Sequence, residues 1–177
     1  MSLSDRLSVT PLPSIRRKRR AGPTRAILFG ALAGAAGTTA LDAVTYLDMT
    51  VRGRAASQTP QGTVEAVSEK IQLPIPGEGK ARENRIAGLG GVAAIVTGAA
   101  VGALAGLSRS LGWKPGPVVE SLAVGGVAML VANAGMAALA VTDPRTWTAA
   151  DWASDVLPHV AYGAVTVATL EHFRGLD

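Results

Sequence analysis

Five side chains able to trade protons or make strong hydrogen bonds sit in stretches otherwise made of Ala, Gly, Val and Leu: Asp42, Asn133, Asp155, His159 and Tyr162. Asp155, His159 and Tyr162 fall at i, i+4 and i+7, the spacing that puts them on one face of a helix. A carboxylate beside an imidazole supports two kinds of chemistry. It can form a proton-responsive or ion-binding site, because histidine is the side chain whose charge changes most readily near physiological pH. It can equally form a hydrogen-bonded knot that fixes helix register, and this second reading is favoured. Catalysis lacks its parts. There is no H-E-x-x-H sequence, no Gly-x-Ser-x-Gly elbow and no cysteine, so no nucleophile, metal set or cofactor is expected.

What positions these groups is a set of four apolar segments. The first, 26–47, reads "AILFGALAGAAGTTALDAVTYL"; the second, 86–107, "IAGLGGVAAIVTGAAVGALAGL", is uncharged; the third, 118–141, is interrupted by Glu120 and Asn133. Since about 20 apolar residues cover the ~30 Å hydrocarbon core of a bilayer, these read as membrane-spanning helices. The fourth, 152–173, "WASDVLPHVAYGAVTVATLEHF", has the length only if Asp155 and His159 are shielded. The fold class expected is therefore all-α, a polytopic membrane protein with a four-helix transmembrane bundle over 26–173. Composition agrees: aromatics are 4% of the chain while Gly and Ala abound, and small side chains are what closely packed membrane helices use.

Two of these segments carry glycines four apart. Gly30 and Gly34 in the first, and Gly98, Gly102 and Gly106 in the second, leave a groove on one helix face. The groove suits packing within the chain or a homo-oligomer equally. A phosphate-binding reading of "GLGGVAAIVTG" has no preceding strand and no supporting lysine.

Charge sets the orientation. Seven of the 17 Lys and Arg precede residue 26, five of them in the run Arg16 to Arg20. Next to an apolar span such a run is a topology signal rather than a nucleic-acid-binding patch. Residues 1–25 are expected to be a disordered cytoplasmic tail, with the C-terminus cytoplasmic as well. The 48–85 loop then lies outside, and within it "TPQGTVEAVSEK" predicts a short amphipathic helix capped by Thr59, resting on the protein itself.

Alternation of the spans brings Asp42, Asn133 and His159 to a common depth, roughly 8–12 Å below the outer boundary at ~1.5 Å per residue. A charge inside a span costs several kcal/mol unless paired or hydrated, so Asp42 needs a partner there. Pro158 removes a backbone donor in the same region and leaves a carbonyl to be satisfied.

"FGALAGAAGTTALDAVTY", "NRIAGLGGVAAIVTGAAVGALAGL" and "LPHVAYGAVTVATLE" resemble the small, Gly-rich bacterial inner-membrane proteins similar to YagU. The resemblance covers most of residues 25–172. It implies a four-helix inner-membrane protein and an association with acid resistance. The expected role is an integral inner-membrane protein acting as a non-catalytic structural or partner subunit, in contact with lipid and with a protein partner or further copies of itself. The alternative is a small proton-linked transporter or channel using the Asp and His cluster.

Overall fold

The computed structural model describes residues 22–174, which form five α-helices and a 3-10 turn, with no strand among the described residues. The helices are α1 (Pro23–Arg52), α2 (Thr59–Lys70), α3 (Gly79–Ser110), α4 (Pro117–Ala138) and α5 (Ala149–Arg174); the turn is Pro144–Thr146. The basic run Arg16 to Arg20 lies outside the described residues. Pro23 opens α1, so helix begins before the residue 26 at which the first apolar segment starts.

α1 is the central helix. It packs along α3 on one side and α5 on the other; α4 lies against α5, and α2 against α3. Between α1 and α3 the backbones approach so closely that a Cβ on Gly30 would strike the Gly102 carbonyl oxygen, one on Gly34 the Gly98 carbonyl, and one on Gly106 the Ala26 carbonyl. Gly37 similarly makes room for Tyr162 and Thr166 of α5, and Gly163 for the Ser121 carbonyl of α4. These contacts pair low numbers with high ones, so α1 runs antiparallel to α3 and to α5, and α4 antiparallel to α5.

The side chains are distributed the opposite way from a water-soluble bundle. The core cluster consists of Ala33, Val101, Ala105, Val124, Ala128, Tyr162, Val167 and Leu170, with Thr38, Arg109, Glu120, Asn133 and Thr166 buried beside them. Leu28, Leu32, Val96, Leu104 and Leu130 face outward, each more than half exposed. A protein folding in water would bury those leucines, each worth about 1.5–3 kcal/mol.

Three helices, α1, α3 and α4, are long and apolar enough to cross a membrane, and 28, 28 and 22% of their most apolar windows are buried inside the protein. This is one fewer than the four expected. α5 has 26 residues, ample length, but Asp155, Pro158, His159 and Tyr162 dilute its apolar character.

Helix ends are set by backbone hydrogen bonds. α4 stops at Ala138, where Val141 N–H bonds the Met136 carbonyl at 2.9 Å and Ala140 N–H bonds the Ala137 carbonyl at 3.0 Å, with Ala140 at φ 55°. This reciprocal closure ends the helix three residues before Val141, the limit expected for the third segment. α5 begins earlier than residue 152 because Thr148 Oγ1 accepts from Asp151 N–H at 3.2 Å while Asp151 accepts from Thr148 N–H at 2.9 Å. Such a reciprocal cap satisfies two donors left over at a helix start. In α2, Thr59 is the first helical residue and not its cap; its N–H donates to Ser57 Oγ at 3.3 Å. α2 rests on the bundle through Pro60 against Gly90 and through the Arg82 to Glu65 ion pair at 2.7 Å.

Candidate functional site

Asp155 is the centre of a polar group between α4 and α5. Its Oδ2 accepts from Asn133 Nδ2 at 2.7 Å, tying the two helices together. One turn on, His159 Nδ1 lies 2.7 Å from the Asp155 carbonyl oxygen and 3.4 Å from Asp155 Oδ1, so the protonated nitrogen donates back into its own helix. Pro158 supplies no N–H to Ser154, and the imidazole bonds the next carbonyl along, that of Asp155, instead of the one the proline leaves open. The Asp155 and His159 side chains are 18% and 12% exposed, and Asn133 Oδ1 is buried without a hydrogen-bond partner among the described residues.

Two of the five sequence-selected residues stand apart. Tyr162 is 1% exposed and donates its hydroxyl to the Gly98 carbonyl of α3 at 2.6 Å, reaching past α1 where Gly37 has no side chain. It joins α5 to α3, whereas Asp155 joins α5 to α4 through Asn133. Asp42 is partly exposed on α1 and makes no hydrogen bond or ion pair among the described residues. Its expected partner, His159, is occupied within α5. Alternation of spans fixes depth but not rotation about each helix axis, and rotation separates Asp42 from the group.

A second ionic group, at the other end of the bundle, was not singled out by sequence. Arg109 of α3 makes a two-point contact with Glu120 of α4, Nε to Oε1 at 2.5 Å and Nη2 to Oε2 at 2.9 Å; Nη2 also reaches Glu171 of α5 at 3.0 Å. The Arg109 and Glu120 side chains are 7% and 4% exposed. Nearby, Phe29 and Phe173 stack at 4.8 Å with Arg25 over the Phe29 ring, closing α1 on α5. The available signal was two opposite charges flanking a short turn, one of them the only charge in an apolar segment.

The end of the bundle opposite Arg109 carries further ion pairs. Asp48 accepts from Arg52 at 2.6 Å and from Arg54 at 2.5 Å, and Ser154 of α5 bonds both Arg52 and Asp48. In the turn before α5, Arg145 donates to Asp143 from its side chain at 2.8 Å and from its backbone at 3.0 Å, which holds the Asp143 carboxyl below the usual range. Trp147 and Trp152 meet edge to face there, with ring centroids 5.1 Å apart.

Chemically, the Asn133, Asp155 and His159 group can hold or pass a proton and can lock α4 to α5. Among the described residues no group of three or more His, Asp or Glu is arranged to hold a metal ion. No family model, curated protein or solved structure matches this chain.

Proposed function

We propose that the chain is a four-crossing protein of the bacterial inner membrane, with both ends cytoplasmic, serving as a non-catalytic structural or partner subunit. The observation that carries this reading is the distribution of side chains: small residues, a few valines and five polar side chains are buried, while Leu28, Leu32, Leu104, Leu122 and Leu130 are more than half exposed. Lipid is the solvent in which that arrangement costs nothing, because the exposed leucines are already among hydrocarbon. The fourth crossing is α5. Its polar groups are turned inward to Asn133 and the Gly98 carbonyl, which removes much of the cost of placing them in a bilayer. Glycine contacts hold α1 to α3, and the resemblance to the Gly-rich inner-membrane group belongs to the same reading.

A second reading, a small proton-linked transporter or channel, is favoured by one feature: an acid and an imidazole in adjoining turns of a helix inside the bundle. Purified protein in liposomes separates the two. Proton flux that depends on pH and is lost in His159→Ala supports transport. Unchanged permeability, with assembly into a larger membrane complex lost in Asn133→Ala, supports the structural role.

A further inference from the structure

The extended strap Leu73 to Pro76, between α2 and α3, stands off the start of α3 and leaves an open cleft of about 690 Å³. Its walls are Leu73, Pro74, Ile75 and Pro76 on one side and Gly88 and Leu89 on the other, with Arg85 at the head. Leu73 is 66% exposed and Leu89 48%. The Arg85 guanidinium is fixed in place: its Nη1 donates to the Pro76 carbonyl at 2.7 Å, and Gly77, at φ 94°, has no Cβ where that nitrogen lies. Among the described residues it makes no ion pair, and the residue is exposed.

The position of the cleft along α3 identifies its occupant. No charged residue occurs between Arg85 and Arg109, a stretch of about 35 Å at ~1.5 Å per residue. Arg85 therefore sits at the edge of the hydrocarbon, and Gly88 and Leu89 lie just below it. The apolar floor continues into the outward face of α3 through Leu89, Val92 and Val96, all exposed and spaced by three and four residues. An amphiphile with a negatively charged head and a hydrocarbon tail matches both halves: head on the guanidinium, tail along that stripe.

We propose that this cleft binds an anionic phospholipid, its phosphate on Arg85 and one acyl chain against Leu73, Leu89 and Val92. The proposal rests on the membrane reading above. One fixed cation at a membrane surface discriminates an anionic from a zwitterionic headgroup by about fivefold.

The test uses the full chain reconstituted in vesicles containing spin-labelled phosphatidylglycerol or spin-labelled phosphatidylcholine, with the motionally restricted lipid read by electron paramagnetic resonance. The expected result is about fivefold preference for phosphatidylglycerol. Arg85→Gln should abolish the preference, and Gly88→Leu, whose Cβ would meet nothing within 4 Å, should expel the restricted lipid while the fold is retained by circular dichroism. Equal restriction of the two lipids, or a preference surviving both substitutions, overturns the proposal. So does a dimer that excludes both labels, which would assign the cleft to a second copy. Failure of the protein to enter vesicles at all would instead overturn the membrane reading itself.

Discussion

Glu120 neutralises a guanidinium that three helices enclose, and removing it leaves Arg109 buried with only the half-exposed Glu171 beside it. Glu120→Gln should therefore destabilise the protein by about 3 kcal/mol, the usual consequence of breaking one side of a buried pair, measurable as a lowered midpoint in thermal unfolding in detergent. The exposed Asp143 behaves differently. Arg145 depresses its pKa, so any stability it contributes is complete above the ordinary carboxylate range and is lost as pH falls through the lower folded value. A carboxyl-carbon NMR titration should find Asp143 ionised at more acid pH than an unpaired aspartate, and Arg145→Gln should return it to the ordinary range. The two groups also mark what sequence can reveal about single residues. Asn133, Asp155 and His159 were legible as polar groups in apolar segments. The isolation of Asp42 and the attachment of Tyr162 to Gly98 depend on helix rotation, which depth alone does not constrain.

At the scale of elements, the glycines of α1 and α3 carry a specific expectation. Gly34→Leu should separate these helices, since even a Cβ there would collide with the Gly98 carbonyl, whereas Gly126→Leu on the open face of α4 should be tolerated. The first should cost about 3 kcal/mol or more and the second close to nothing, read as the difference in unfolding midpoint. The end of α4 offers the converse case. Ala140 holds a left-handed conformation that glycine adopts freely, so Ala140→Gly should stabilise the protein by about 1 kcal/mol in the same assay. That helix end was hidden in the sequence for the same reason: the position that normally carries glycine carries alanine. By contrast Gly112, at φ 101° after α3, is an ordinary stop signal. The start of α5 was also readable in principle, from Thr148 and Asp151 three residues apart.

For the whole molecule, composition and segment length foretold an all-helical chain with apolar helices long enough to cross a bilayer, and α1, α3 and α4 meet that description. The order of packing, with α1 central between α3 and α5, was not foreseeable, because glycine grooves occur on several helices and sequence does not say which meet. The crossing of α5 is the claim on which the shared membrane frame depends. Its most direct measurement places single cysteines at Ser57, Lys114, Thr148 and Asp177 in this cysteine-free chain and labels intact cells with a membrane-impermeant thiol reagent. The account predicts labelling at Ser57 and Thr148, and at Lys114 and Asp177 only after permeabilisation. Labelling of Asp177 in intact cells together with Thr148 would mean that α5 does not cross, and would contradict it.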